Sequence, residues 1–335
     1  MTVRTTRLDG TDWGAEILLY DDLNDTIVRA SNEPWYQVKY DSYIGTRIIR
    51  FSSTIWQTST GLTTDGGATW TNTGITANHL AITGSATKGM SINTANMEAK
   101  YTTNSGATWT TSTTSPAHMD VVNSIHSFDG TNGICTGDAG SYKSMWYTSD
   151  GGNNWTAATT GSVTGVTGCV MASATICYCT SGLDIFKSTD GGINWTDTTH
   201  DVVMVGPTGW RYAYAIDTDT ILGISFTGTL SKYVNSTGAV TTIVNFSTSD
   251  WVNSNIIKAT NGKYYFAMNN TVSGEMNLVK YDDSNGSVYI KSICNGDTNS
   301  FSGTIPYAYI IEGATNVLIL SLDSNLHVWI NISEE

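Results

Sequence analysis

Charge is scarce in this chain: only 13% of its 335 residues are Asp, Glu, Lys or Arg. What charge there is leans one way. Carboxylates outnumber Lys plus Arg by 29 to 16, a formal net charge of −13, which repels phosphate backbones and argues against nucleic acid as a partner. No apolar run approaches the roughly 20 residues that span a bilayer. There are only four prolines, and no long 3.6-residue apolar periodicity follows residue 35, so a helical solenoid is excluded. Cysteine is sparse and odd in number: Cys135, Cys169, Cys177, Cys179 and Cys294. None of them makes the C-x-x-C spacing of a zinc or redox site. Cys177 and Cys179 flank Tyr178 in "TICYCT", a strand-like alternation that puts both sulfurs on one face. They read as small buried apolar side chains. The opening "MTVRTTRLDG" lacks the apolar stretch of a secretory signal, so synthesis in a reducing cytoplasm is expected.

Thr, Ser, Asn and Gly fill the space that charge leaves, a β-rich and turn-rich composition. Within it one eight-residue segment recurs: "TTDGGATW" (63–70), "TTNSGATW" (102–109), "TSDGGNNW" (148–155) and "STDGGINW" (188–195). Its tryptophans, Trp70, Trp109, Trp155 and Trp195, are 39, 46 and 40 residues apart. A period near forty signals a repeat architecture. Weaker echoes at "YVNSTGAV" (233–240), "YDDSNGSV" (281–288) and "SLDSNLHVW" (321–329) continue it. Short apolar strands such as "RYAYAI" (211–216) and "NVLILSL" (316–322) lie between. Units of this length, four strands each, predict an all-β chain folded as a β-propeller. Seven blades fit between residue 34 and residue 335, with six the nearest alternative.

The repeated segment resembles the Asp box, Ser/Thr-x-Asp-x-Gly-x-x-Trp, of sialidase-like and other BNR-repeat propellers. That resemblance implies a turn between the third and fourth strands of a blade. The chemistry suits the place. Asp65, Asp150 and Asp190, with Asn104 in the second copy, can accept turn N–H groups. Gly67, Gly106, Gly152 and Gly192 can take positive φ, and the tryptophans can pack between blades. A structural role for the boxes is expected.

The resemblance also invites an enzyme, a sialidase-like or other carbohydrate-active one. Sialidases use three arginines, a Tyr–Glu nucleophile pair and an Asp acid/base. The six arginines here are Arg4, Arg7, Arg29, Arg47, Arg50 and Arg211. Three precede the first blade, and only "TRII" (46–49) approaches the family's arginine signature. No catalytic set is assembled. The five histidines are scattered, "PAHMDVVNSIH" (116–126) included, with no metal pair. Asp217 and Asp219 in "AIDTDT" could pair as carboxylates or calcium ligands, but read more simply as turn residues. No cofactor and no metal are expected.

Residues 1–33 fall outside the period. "AEILLY" (15–20) reads as a strand, and "LNDTIVRAS" (23–31) as a short helix capped by Asp21 or Asp22, with Leu23 and Ile27 on one face. "DGTDW" (9–13) through "DDLNDT" (21–26) resembles the N-terminal segments of tail-fibre and other tail proteins of tailed viruses. This implies an anchoring or oligomerisation segment at 1–33, using Trp13, Ile17, Leu19, Leu23 and Ile27, ahead of a propeller at 34–335. The expected protein is a non-enzymatic virion component, possible as a trimer, that binds other virion proteins through 8–33 and offers the propeller to a host glycan or protein. A cytoplasmic assembly factor that binds proteins is the further alternative.

Overall fold

The computed structural model describes residues 18–21, 26–29, 49–52, 55–57, 61–65, 71, 75, 79–83, 85–93, 96–116, 121–138, 145–160, 163, 165–202, 209–225, 228–246, 250–252, 256–258, 262–270, 276–294, 308–310, 317–323 and 326–331. Every regular element among them is a β-strand. The chain divides into two compact units, 46–246 and 1–45 with 247–335.

In 46–246 five antiparallel sheets follow one another along the chain. The first contains Ile49–Arg50, Trp56–Gln57 and Leu62–Thr63. The second is His79–Thr83, Gly89–Asn93, Ala99–Thr102 and Thr110–Thr111. The third is Val121–Ser127, Gly133–Asp138, Met145–Thr148 and Thr156–Ala157. Val166–Met171, Cys177–Ser181, Asp184–Ser188 and Thr196–Asp201 form the fourth. Trp210–Ala215, Thr220–Ser225, Thr229–Val234 and Ala239–Asn245 form the fifth. In each, strands pair in chain order, so hairpins suffice as connections. The first strand of every sheet lies beside the first strand of the next. Second strands are buried almost throughout, whereas Thr196–Asp201 is largely exposed. Sheets set side by side, first strands innermost, are the blades of a propeller.

The core lies in the seams between sheets, so successive residues of a strand serve different seams. Cys177 and Cys179 join Ile134 and Met145 of the third sheet. Tyr178, between them, faces Trp210, Ile221 and Tyr233 of the fifth. A strand buried on both faces needs apolar residues at consecutive positions, which "ICYC" supplies.

In the other unit, Asp250–Val252, Tyr264–Asn270, Met276–Asp282 and Ser287–Cys294 pair in that order, and Ile257–Lys258 also pairs with Tyr264–Asn270. A three-stranded sheet contains Ala308–Ile310, Val317–Asp323 and Leu326–Asn331. Leu18–Asp21 pairs with Thr26–Arg29, and its first strand runs alongside Leu326–Asn331.

Here the structure corrects the expected helix at 23–31. Thr26–Arg29 is a strand, with Leu19 opposite Val28 and Tyr20 opposite Ile27. The β-branched run Thr26-Ile27-Val28 loses χ1 freedom in a helix and suits a strand, and a partner strand four residues upstream outweighs the weak helical spacing of Leu23 and Ile27. The echoes of the repeat also differ from it. Val234 pairs with Ala239 and Asp282 with Ser287, leaving four-residue loops that end on Gly238 (φ +68°) and Gly286 (φ +75°). Trp329 sits within a strand opposite Ile319, not at the end of a turn.

Candidate functional site

Three of the four repeated segments are described in full, and they are built alike. Thr102, Thr148 and Ser188 end the third strand of their sheets. Each hydroxyl donates to the third residue of the segment, Asn104 (2.9 Å), Asp150 (2.9 Å) or Asp190 (2.8 Å). The same oxygen accepts the N–H of Gly106 (3.1 Å), Gly152 (3.1 Å) or Gly192 (2.9 Å). Asn104, Asp150 and Asp190 then accept the N–H of Thr108 (3.0 Å), Asn154 (2.9 Å) and Asn194 (2.9 Å). Asn154 and Asn194 add side-chain amide bonds to the carboxylates at 2.7 Å. Partial burial raises the pKa of Asp150 and Asp190, but these N–H and hydroxyl donors outweigh it and hold both below the ordinary carboxylate value. Each carboxylate is spent on closing its loop. Asp65 is exposed in the first segment, while Gly67 and Trp70 lie outside the described residues.

Each segment is also fitted to the sheet before it. Gly106, Gly152 and Gly192 have φ of +82°, +89° and +91°, a conformation L side chains rarely adopt. A Cβ on Gly192 would stand 2.5 Å from Ile134 Cγ2, and one on Gly152 3.1 Å from Met90 Cγ. Trp155 packs with Met90, Ile92 and Ala99 of the second sheet and with Met97 in the turn between its middle strands. Trp195 packs with Ile134 and Met145 of the third, and half-buried Trp109 packs on Phe51. The Trp195 indole N–H donates to Gly192 O at 2.9 Å; the buried Trp155 indole nitrogen has no acceptor among the described residues. Backbone bonds finish the seams: Thr113 N–H to Asn153 O (2.7 Å), Thr159 N–H to Ile193 O (2.7 Å) and Trp195 N–H to Thr159 O (3.1 Å).

A second repeat was not visible in the sequence. Between the first two strands of successive sheets, Ser52, Ser85, Asp129, Ser173 and Asp217 each accept backbone N–H groups of the turn that follows. The last four are 44 residues apart at each step. The two turns at one end of a sheet are tied together: Ser105, Gly151, Gly191 and Asn235 donate N–H groups to Thr87, Thr131, Thr175 and Asp219 carbonyls at 2.8–2.9 Å. One hydroxyl or carboxylate suffices in the first turn, so Ser and Asp interchange and only their spacing could have revealed them.

The innermost strands carry a third. The pairing register shifts at Asn123, Thr167 and Arg211 in three consecutive sheets, again 44 residues apart. Such bulges re-aim a side chain. Asn123 Nδ2 donates to Val166 O of the next innermost strand at 3.0 Å. Three residues on, His126 Nδ1 accepts the Met171 N–H at 3.2 Å. His126 retains some exposed surface, yet desolvation by the surrounding chain pushes its pKa down to about 4, which keeps the ring neutral and able to accept. Thr167 Oγ1 lies 3.4 Å from Thr180 Oγ1, which accepts the Trp210 N–H at 2.9 Å. Arg211 lies 5.5 Å from the centre of the Tyr212 ring.

No group of three or more His, Cys, Asp or Glu able to hold a metal occurs among the described residues. Asp217 and Asp219 are turn residues. Asp217 accepts the N–H groups of Asp219 and Thr220 at 2.7 Å, and Asp219 accepts the N–H and hydroxyl of Ser236 at 2.8 and 2.6 Å. Of the arginines, Arg211 and Arg50 stand in strands of different sheets; Arg4, Arg7 and Arg47 lie outside the described residues. Among the anchoring candidates, Leu19 and Ile27 fall in the N-terminal hairpin, while Trp13, Ile17 and Leu23 lie outside.

No family model and no curated protein matches the chain. Solved structures do. YCF48 bound to D1 peptide is similar over 91% of this chain and 97% of its own, with a TM-score of 0.60 and 12% identity. The extracellular domain of BT4673, a one-component system of B. thetaiotaomicron, is similar over 95% of this chain and 40% of its own (TM-score 0.62, 11% identity). The GH74 enzyme of Niastella koreensis is similar over 94% and 43% (TM-score 0.57, 16% identity). At these identities the likeness is one of fold: the chain is a β-propeller.

Proposed function

We propose that this chain is a non-enzymatic binding propeller of a virion tail or surface appendage, which presents its blades to a host glycan or protein. The observation that carries the reading is the fate of its most conspicuous residues. The first hydroxyl, the carboxylate or amide and the fifth-position glycine of all three described repeats are committed to a turn or a seam, so the repeat builds a rigid support. YCF48, of similar extent, is solved with a peptide bound, which supports a protein as the partner class. The resemblance of 9–26 to tail proteins supports the virion setting, with residues 1–33 joining other virion proteins. Leu18–Asp21 already has a neighbour in Leu326–Asn331, so the anchor must compete with that contact.

The test is binding and turnover measured on one preparation of the full chain. Saturable binding to host cells or to an arrayed glycan, with no hydrolysis of sialosides or aryl-glycosides, is expected. Turnover that disappears in Asp217→Asn or Asp219→Asn would replace this reading with a carbohydrate-active enzyme. A chain that stays monomeric at high concentration and fails to join particles would remove the virion setting.

A further inference from the structure

Three cysteines gather at the seam between the third and fourth sheets, and a fourth lies in the seam before it. Cys169, Cys177 and Cys179 share one buried cluster, and Cys135 lies in the adjoining one. All four are thiols. Two of them stand directly opposite each other: Cys169 in the first strand of the fourth sheet faces Cys179 in the second. Which kind of antiparallel pair this is follows from the turn. Ala172 N–H donates to Ile176 O at 2.8 Å, so the next pair inward, Met171 with Cys177, is non-hydrogen-bonded. The pairing alternates along the ladder, and Val170 with Tyr178 intervenes, so Cys169 with Cys179 is non-hydrogen-bonded as well. In such pairs the Cα atoms stand about 4.5 Å apart with side chains closest, inside the roughly 4.4–6.8 Å that a disulfide requires.

We propose that Cys169 and Cys179 are a disulfide site whose redox state is fixed while the chain folds. The hairpin 166–181 is local and closes before the turn 188–195 brings Trp195 into the cluster and seals its cysteine face against the third sheet. In that interval a low-molecular-weight disulfide is the oxidant. One cysteine thiolate attacks it, forming a mixed disulfide and releasing one small thiol. The second cysteine thiolate then displaces the other small thiol. Two S–H bonds and the small S–S bond are exchanged for Cys169–Cys179 and two small thiols, and two electrons pass to the oxidant. Packing against Ile134 and Met145 then seals the pair. Burial of Cys179, beside Cys169 and Cys177, also raises its pKa well above the ordinary thiol value, so the sealed thiol is a poor nucleophile. A chain folded in a reducing compartment therefore keeps two thiols after transfer to an oxidising one.

The experiment uses the full chain, reduced and unfolded, then refolded in a mixture of oxidised and reduced glutathione. Thiols are alkylated under denaturing conditions and the chain is mapped by mass spectrometry. The expected result is two alkyl groups fewer than in a fully reduced control, with the linkage between 169 and 179. It should persist in Cys177→Ser and disappear in Cys179→Ala. The same buffer applied to chain already folded in its reduced form should leave Cys169 and Cys179 alkylatable. Full alkylation after oxidative refolding of the wild-type chain, or a linkage that survives Cys179→Ala, overturns the site. Equal oxidation of the folded, reduced chain overturns the claim that folding fixes the state. The wild-type arms decide both points even if a variant fails to fold.

Discussion

Replacing Gly192 by Ala places two separable penalties on the seam between the third and fourth sheets. The first is conformational: φ is +91°, and an L residue held at positive φ costs about 1–2 kcal/mol. The second is steric. The new methyl would stand 2.5 Å from Ile134 Cγ2, well inside contact distance. Ile134 is buried and its β-branched side chain is stiff, and such overpacking costs about 1–3 kcal/mol. The sum is about 2–5 kcal/mol. Two other glycines of the same unit act as controls. Gly182 also has positive φ (+59°), but nothing lies within 4 Å of its added Cβ, so Gly182→Ala should show only the first penalty. Gly152→Ala would meet Met90 Cγ at 3.1 Å; methionine adapts readily, so an intermediate cost is expected. Urea unfolding followed by tryptophan fluorescence gives the three values. In an Ile134→Ala background the offending Cγ2 is gone, and Gly192→Ala should fall to the Gly182→Ala cost, a coupling readable from a double-mutant cycle. Equal destabilisation by all three single substitutions, or no coupling to Ile134, would refute the idea that the repeat's glycine is kept for the neighbouring sheet.

Acid should act in two stages. The unfolded His126 imidazole protonates near pH 6.5 and the folded one only near 4, so its contribution is full above pH 6.5 and is lost as pH falls toward 4. With the ring partly exposed, this amounts to about 1–3 kcal/mol, and His126→Gln should flatten that window in a plot of unfolding midpoint against pH. Below it, the depressed pKa values of Asp150 and Asp190 mean stability present above the ordinary carboxylate value is lost as pH falls through the folded ones. Asp150→Asn should remove its share of that slope, as Asn104 already does in its own loop. Trp195→Ala should cost about 3–5 kcal/mol through the cavity it leaves, measured by thermal unfolding. Trp195→Phe should cost more than Trp155→Phe, because only the Trp195 indole N–H has an acceptor to lose; the reverse order would contradict the seam geometry.

The repeated turns were legible because an eight-residue loop demands particular residues at several fixed offsets. The hydroxyl, the carboxylate or amide, the glycine and the tryptophan each do something no other type does there. The turns at Ser85, Asp129, Ser173 and Asp217 demand a single acceptor, and one interchangeable side chain leaves no motif. The bulges at Asn123, Thr167 and Arg211 leave still less, since a bulge is a property of pairing between strands. At 23–31 the spacing of Leu23 and Ile27 suggested a helix, yet the strand partner at 18–21 decided the matter. The four-residue loops at 235–238 and 283–286 show the converse: an Asn or Asp near a Gly is enough for any tight turn, so those echoes matched the repeat without sharing its form.

Each described repeat leans on the sheet made before it: Trp109 on Phe51, Trp155 on Met90, Trp195 on Ile134. A ribosome releases these sheets in the same order. When the fourth sheet emerges, its receiving surface at Ile134 and Met145 already exists, and its own turn closes that seam at once. The apolar flank of each newest sheet therefore stays uncovered only until about forty further residues have emerged. Removing sheets from the carboxyl end of this unit leaves a shorter stack of the same kind. Removing the third sheet from within would set Gly192 and Trp195 against Met90 and Ile92, side chains shaped for Gly152 and Trp155, and the join would not close.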